Sequence, residues 1–245
     1  MLTSKFRRWV KARQSPLANL VYRAFIFMRH FSMPVIPIIH SGLYHLHISV
    51  RTLLDNFMRI FWYTPLFQTR LIKPAKDLNL WGGMPVLIGN LRISIGDGCI
   101  ICGHSTLSGR PASQQIPVLT IGDNVGIGWN VNIAVGKKVI IGNNVRISGG
   151  GFISGYPGHP VDAQDRATNK PDTEDQIGDI ILEDDVWLAS NVTVSAGVTI
   201  GRGTIVAANS VVTRDLPAFV LAAGAPASVK RSLLTTATPE ENGAK

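Results

Sequence analysis

Aliphatic residues recur every six positions through the second half of the chain. The longest unbroken run consists of Leu182, Leu188, Val194, Ile200, Val206 and Val212. This spacing matches neither the 3.6-residue period of an amphipathic helix nor the alternation of a single strand. A six-residue period is typical of a short strand followed by a tight corner, and three such strands complete one turn of a triangular prism. We therefore predict an all-β repeat, a parallel β-helix whose aliphatic residues point into the prism.

Breaks in the six-residue phase indicate where loops leave the prism. The aliphatic anchors group in threes as 95-101-107, 121-127-133, 141-147-153, 182-188-194 and 200-206-212. These five groups predict about five coils. Each break follows a complete group, so the insertions at about 108–118, 134–139 and 155–179 are expected to leave from one corner. Chance repetition of aliphatic-Gly pairs is the alternative, and the spacing alone does not give the handedness of the coils.

A basic and apolar segment precedes the coils. Between residues 1 and 76 twelve Lys and Arg residues face one acidic residue, Asp55. Apolar residues at helical spacing between 15 and 31, and again between 50 and 70, predict amphipathic helices. We therefore expect residues 1–79 to be a helical segment. It either caps the first coil or lies on an anionic membrane surface, with its cations at the headgroups. A solvated basic face is the third alternative.

Composition bounds the compartment and the partners. The chain has 245 residues, of which 45% are hydrophobic and 16% charged, with a net charge of +8. Its two cysteines imply no disulfide framework, and no secretory signal is visible. Arg23 and Arg29 interrupt the apolar stretch between 17 and 50, which makes it a poor spanning helix. We expect a cytoplasmic protein, with peripheral contact at the inner face of the membrane as the alternative. No nucleic-acid partner is expected, and residues 232–245 are predicted to be a disordered tail.

Three stretches resemble the hexapeptide-repeat acyltransferases. They are Gly-His-Pro at 158–160, the block IILEDDVWLASNVTVSAGVTIG from Ile180, and the ending SVVTRDLPAFVLAAGAPASVKR from Ser210. The likeness is greatest to the galactoside, maltose and colanic-acid O-acetyltransferases. It implies a left-handed β-helix over residues 80–231, with an extended loop at 155–179. It also implies a homotrimer with active sites between subunits, and acetyl-CoA as the acyl donor.

The resemblance gives His159 the role of general base. A sugar hydroxyl is almost un-ionised at neutral pH and attacks a thioester poorly, so a positioned base must take its proton as the new bond forms. An imidazole has an ordinary pKa of about 6.5 and is suited to this task. The thioester is already activated, and the chain has no G-x-S-x-G motif, so no nucleophilic serine is needed. Asp162 or a backbone carbonyl is expected to orient the ring. A loop histidine without a catalytic role is the alternative.

The resemblance also implies which residues bind the two substrates. Asn130, within the sequence N-V-N, and Trp187 are expected at the acceptor, although a corner asparagine would also explain Asn130. The residues expected along CoA, from the pantetheine arm to the 3′-phosphate, are Ser190, Ala208, Thr213, Arg214 and Arg231. Ser228 departs from the family pattern, because relatives often have Arg there, and this leaves Arg231 and Lys230 to meet the 3′-phosphate. Solubility is the alternative role of these cations.

The sequence contains little that indicates a metal site. Cys99 and Cys102 form C-x-x-C, but both occupy hexad positions and are interpreted as repeat filler. A γ-type carbonic anhydrase on the same fold needs three histidines around zinc, and the repeat offers only His104 and His159. We therefore expect no metal.

The function that these observations favour is acyl-CoA dependent O-acylation of a sugar hydroxyl in polysaccharide or glycan assembly. The acceptor is expected to be a small-molecule or lipid-linked sugar. Two alternatives stay open at this point: N-acylation of an amino sugar, and a non-catalytic scaffold.

Overall fold

The hexads fold into three parallel sheets that form the faces of a β-helix. The structure, a computed structural model, describes residues 2–234. The chain divides after Arg51 into two compact units. In the second unit, successive strands pass from an eight-stranded to a six-stranded to a five-stranded sheet and then begin the next coil.

Each sheet is built from every third strand of the chain. The eight-stranded sheet contains β1 Asn79–Trp81, β4 Ile100–Cys102, β7 Gly126–Ile127, β10 Arg146–Ile147, β13 Trp187–Leu188, β16 Ile205–Val206, β18 Val220–Gly224 and β19 Ala227–Ser232. The six-stranded sheet contains β2 Val86–Ile88, β5 Thr106–Gly109, β8 Asn132–Val135, β11 Phe152–Ser154, β14 Thr193–Ser195 and β17 Val211–Val212. The five-stranded sheet contains β3 Arg92–Ile95, β6 Val118–Ile121, β9 Lys138–Ile141, β12 Ile180–Leu182 and β15 Thr199–Ile200.

The predicted anchors occupy the core in the predicted register. All fifteen are at most 2% exposed. Anchors of neighbouring coils pair directly; for example, Ile127 lies between Ile101 and Ile147 in the eight-stranded sheet. The five predicted coils are confirmed, and two further strands, β1 and β2, precede them. At the other end the long sheet continues through β18 into β19, which runs antiparallel to it.

Asparagines in the left-handed region turn the chain at two of the three corners. Five of them have φ between 53 and 58°: Asn124, Asn130, Asn144, Asn191 and Asn209. An Asn tolerates this conformation because its short polar side chain bonds locally. Successive corner side chains also bond to each other along the stack, since Asn124 Nδ2 donates to Asn144 Oδ1 and Asn144 Nδ2 donates to the carboxylate Oδ1 of Asp185, each at 2.9 Å.

The three insertions leave from one corner, where the six-stranded sheet passes into the five-stranded sheet. They lie between β5 and β6, between β8 and β9, and between β11 and β12. The sequence predicted this placement, and we refer to it as the insertion corner. The longest insertion contains α5, Ala163–Ala167, and a 3-10 turn, Glu174–Gln176.

A short helical segment closes the first coil. A π-helical turn, Arg59–Tyr63, leads into α4, Thr64–Gln68. Phe67 is fully buried and Leu71 nearly so, and both belong to the same hydrophobic cluster as Leu80 and Ile93. Residues 52–79 thus group with the coils, and not with the N-terminal segment as predicted, because these apolar side chains cover the open end of the prism.

The secondary-structure elements that the structure describes in the first unit are all helices. It contains α1, Leu2–Ala12, α2, Pro16–His30, and most of α3, Pro37–Met58. Ser15 begins α2, since its Oγ accepts the Ala18 N–H at 3.1 Å and Pro16 occupies the first turn. Within residues 2–234 no helix combines the length and apolar character that crossing a membrane requires. The predicted tail is described only as far as Leu234, and residues 235–245 lie outside the described residues.

Candidate functional site

His159 lies at a cavity formed by two insertions. The cavity has a volume of about 410 Å³ and sits at the insertion corner. Its lining includes Pro111 and Ala112 of the first insertion and Tyr156 and His159 of the third. His159 is exposed, and its backbone carbonyl accepts Gln176 Nε2 at 3.3 Å. The imidazole is therefore accessible in a recess deep enough to hold a small substrate.

A buried ion pair fixes the loop that carries His159. Arg110 Nε donates to Asp172 Oδ1 at 2.7 Å, and both side chains are at most 3% exposed. The other carboxylate oxygen of Asp172 accepts the Gly158 N–H at 3.0 Å. A second guanidinium nitrogen donates to the backbone carbonyl of Asp172 at 2.6 Å. One carboxylate thus joins the first insertion to the residue directly before His159.

Glu174 completes the shell around the Arg110 guanidinium. It accepts the third nitrogen at 2.5 Å, but its side chain is 52% exposed. Burial alone would lower the pKa of Arg110, yet its hydrogen bonds to Asp172 and Glu174 outweigh burial, and its pKa is raised. The guanidinium therefore stays charged, and its stability in the interior depends on the partners that surround it.

The rest of the long insertion is braced by local contacts. Asp162 Oδ1 accepts the N–H groups of Gln164 and Asp165, both at 2.9 Å, and so begins α5. This capping role takes the place of the predicted role of Asp162 in orienting the imidazole. Arg166 donates to the backbone carbonyl of Pro160 at 3.0 Å. The backbone on both sides of His159 is consequently held by side chains of its own loop.

The predicted acceptor and pantetheine residues lie at another corner of the same chain. Asn130, Ser190 and Ala208 each follow a strand of the eight-stranded sheet and precede one of the six-stranded sheet. We refer to this as the Asn130 corner. All three residues are exposed, and the Asn209 N–H donates to the Ser190 carbonyl at 2.9 Å. The left-handed φ of 54° at Asn130 matches the corner role that the sequence offered as the alternative.

Trp187 points outward from the eight-stranded sheet. Its side chain is 47% exposed, and its indole N–H donates to Ser148 Oγ at 3.4 Å. Arg231 is also exposed and lies in β19, opposite Leu221 at the end of the same sheet. In this sheet β16 and β18 lie between the strand of Trp187 and the strand of Arg231. These two residues therefore do not share one contact site within the chain.

The predicted phosphate-binding pair lies at the insertion corner. Thr213 and Arg214 are exposed and follow β17, just before Leu216 bridges to Ile200 of the five-stranded sheet. Their strand, β17, is two coils beyond β11, from which the loop of His159 leaves, and this corresponds to about 10 Å along the stack. The structure thus places His159, Thr213 and Arg214 on one edge of the prism. Asn130, Ser190 and Ala208 lie on the next edge, roughly 15 Å away across one strand.

Two features of the site were missed by sequence reasoning. Arg110 and Asp172 are separated by 62 positions, and neither belongs to a recognisable motif. At the Asn130 corner, the exposed Trp129 ring stacks on His104 with centroids 3.9 Å apart, and Trp81 lies 6.0 Å from Trp129. The only sequence signal for this aromatic group was the position of both tryptophans directly beside a corner.

Cys99 and Cys102 are buried completely, and we expect neither thiol to react in the folded protein. Burial raises the pKa of Cys99, and its thiol donates to the Gly122 carbonyl at 3.2 Å. The reactive thiolate is therefore scarce and shielded.

A thiol reagent such as DTNB should label neither cysteine in buffer and both in urea. Labelling of one thiol in the native protein would contradict the interpretation as repeat filler.

Among residues 2–234 no group of His, Cys, Asp and Glu is arranged to hold a metal ion.

Comparisons with known proteins concern the repeat and the fold. Residues 179–214 match the family model described as bacterial transferase hexapeptide (six repeats). No curated protein sequence is significantly similar to the chain. Among solved structures, a hexapeptide-repeat acetyltransferase of Vibrio cholerae O1 biovar eltor, complexed with acetyl-CoA, is 25% identical. The match covers 83% of this chain and 93% of that one, with a TM-score of 0.44.

Two further structures represent different acceptor chemistries. AntD of Bacillus cereus, an N-acyltransferase in complex with dTDP and 3-hydroxybutyryl-CoA, is 18% identical over 69% of this chain and 86% of that one, with a TM-score of 0.55. The polySia specific acetyltransferase NeuO is 22% identical over 68% and 85%, with a TM-score of 0.47. This chain therefore carries the bacterial transferase hexapeptide repeat and has the left-handed parallel β-helix fold of the hexapeptide-repeat acyltransferases.

Proposed function

We propose that this chain is an acyltransferase that moves an acetyl group from acetyl-CoA to a sugar hydroxyl, with His159 as the general base. The observation that carries the proposal is the cavity at the insertion corner. His159 lines this cavity and belongs to a loop that the buried Arg110–Asp172 ion pair holds in place. The fold carries the transferase hexapeptide repeat. Burying an ion pair costs desolvation free energy, and a loop whose histidine has no role would not need such support.

The reaction would proceed in one displacement through a tetrahedral intermediate. His159 takes the proton of the acceptor hydroxyl while the oxygen attacks the thioester carbonyl carbon. The carbon–sulfur bond then breaks, and the proton passes from the imidazolium to the departing thiolate, which gives the sugar ester and free CoA. Because the proton returns to the leaving group, His159 ends the cycle neutral and ready for the next turnover.

The separation of the two edges supports an assembly in which neighbouring chains share a site. His159, Thr213 and Arg214 occupy one edge of the prism, while Asn130, Ser190 and Ala208 occupy the next. We propose a homotrimer in which the insertion corner of one chain meets the Asn130 corner of its neighbour. The exposed backbone and small side chains at Ser190 and Ala208 would admit the pantetheine arm, and Arg214 and Arg231 would meet phosphates.

The acceptor is proposed to be a small-molecule or lipid-linked sugar in glycan assembly, handled at the inner face of the cell membrane. The cationic first unit is the feature that supports a membrane location. The alternative acceptor is an amino sugar, a possibility that AntD keeps open because it shares the fold and is an N-acyltransferase.

A direct assay separates these possibilities. The purified chain is incubated with acetyl-CoA and matched panels of hydroxyl and amino sugars, and the released CoA and the acetylated product are measured. Ester formation supports O-acylation, and amide formation moves the assignment to N-acylation. If the chain neither binds CoA nor releases it, the scaffold alternative is correct. Mass spectrometry of glycans from cells with and without the chain then identifies the acceptor by one missing acyl mass.

A further inference from the structure

Helices α1 and α2 enclose an apolar groove in the first unit. Its volume is about 560 Å³, within the range typical of ligand pockets. The apolar part of its lining consists of Phe6, Val10, Tyr22, Phe25 and Ile26. The guanidinium of Arg13, just after α1, lies 3.9 Å from the centre of the Tyr22 ring on α2 and so connects the two helices. The groove is therefore a defined feature of this helix pair.

The groove belongs to a unit that leaves most of its apolar surface uncovered. Among residues 4–51 only Val10 and Ala18 are buried. Phe6 and Phe25 are each about half exposed, and Phe27 on α2 and Phe31 directly after it are more exposed still. So many exposed large apolar side chains are typical of an interaction surface, because covering them would be strongly favourable.

Three cations share the lining with the apolar side chains: Arg7, Lys11 and Arg29. The sequence contains no Asp or Glu before Asp55, so no acidic residue of the first unit is available to neutralise them. An apolar groove with uncompensated positive charge is complementary to a molecule that has an apolar chain and an anionic head. Guanidinium groups are also suited to the fork-like recognition of phosphate.

We propose that this groove binds an anionic phospholipid of a bilayer, with part of an acyl chain against Phe6, Val10 and Phe25. The lipid phosphate lies among Arg7, Lys11 and Arg29, while the exposed aromatic residues of α2 enter the interfacial region. This assignment rests on the proposed membrane contact, for which it names a partner and a site. It is independent of acyl transfer, which takes place in the other unit.

The test compares two triple variants of equal charge in the full-length chain. The groove variant is Arg7→Gln/Lys11→Gln/Arg29→Gln, and the matched control is Lys5→Gln/Arg8→Gln/Arg23→Gln, which lies on the same helices outside the lining. Binding is measured by flotation with phosphatidylcholine vesicles, with and without phosphatidylglycerol. Both variants lose the diffuse attraction that each cation contributes. We expect the groove variant to lose at least about tenfold more affinity than the control, because it also loses the site.

A second pair of variants tests the apolar part. Phe6→Ser/Phe25→Ser should weaken binding to phosphatidylglycerol vesicles, whereas Leu43→Ser/Leu46→Ser on α3 should weaken it less. Equal losses within either pair would overturn the groove as a lipid site, as would absence of wild-type binding to anionic vesicles. Self-association that disappears in Phe6→Ser/Phe25→Ser would assign the groove to a second copy instead. Acetyl transfer to a soluble acceptor, measured in parallel, should be unchanged in all variants, so a failure of this proposal is distinguishable from a failure of the proposed reaction.

Discussion

Replacing His159 by Ala should lower kcat for acyl transfer by about 10²–10⁴-fold, because a positioned general base contributes that much. Binding of acetyl-CoA should change little, since the imidazole acts on the acceptor hydroxyl. The free energy of unfolding should stay within about 0.5 kcal/mol of wild type, because the side chain is exposed. The measurements are initial rates of CoA release, the KM for acetyl-CoA and a urea unfolding curve.

His47→Ala is the matched control for that variant. His47 is also an exposed histidine, but it lies on α3 outside the coils. The control should have wild-type kcat. A fully active His159→Ala enzyme would show that another group removes the proton and would overturn the proposed mechanism.

Asp172→Ala should lower the free energy of unfolding by about 3 kcal/mol, because it leaves the Arg110 guanidinium buried without its main partner. The variant also leaves the Gly158 N–H without its acceptor, so the loop of His159 loses its hydrogen bond to the buried pair and kcat should fall. Urea unfolding and initial rates measure the two effects. Glu174→Ala is the control on the same guanidinium; it should cost at most about 1 kcal/mol, because that carboxylate is half exposed.

The double variant Arg110→Met/Asp172→Ala distinguishes positioning from stability. Removing both charges avoids the unpaired guanidinium, so most of the lost stability should return. The connection between the two insertions is still absent, so kcat should remain low. Recovery of both quantities together would mean that the pair contributes stability alone and does not position His159.

The sequence predicted the coils because the six-residue period is a local property. Each anchor needs only its own hexad to point inward, and stacking then brings Ile101, Ile127 and Ile147 into register. The hexads alone do not reveal the strands before Ile95, because Leu80 and Leu87 are seven positions apart, with Gly82 and Gly83 at the intervening turn. They also end at Val212, because Leu216 follows it by only four positions, so only the family resemblance extended the β-helix over residues 80–231.

The support of the candidate site was not predictable in the same way. Arg110 follows a strand, and Asp172 lies beyond a helix that the hexad pattern does not describe. Their contact exists only because the first and third insertions leave from the same corner. The start of the coil domain was also predicted too late. Phe67 and Leu71 have the spacing of an amphipathic helix, and the sequence does not show that they are buried against the open end of the prism.

All three insertions leave from a single edge of the prism, so under the proposed function the loops that shape the cavity are separate from the coils that support it. Pro111 and Ala112 lie outside the strands of the coils, yet they line the same cavity as His159. Lengthening or shortening the loop between β5 and β6 would therefore reshape the recess without shifting a strand. An exchange confined to the part of this loop beyond Arg110 would leave His159 and the Arg110–Asp172 pair in place, so under the proposed function it should change the accepted sugar and not the chemistry.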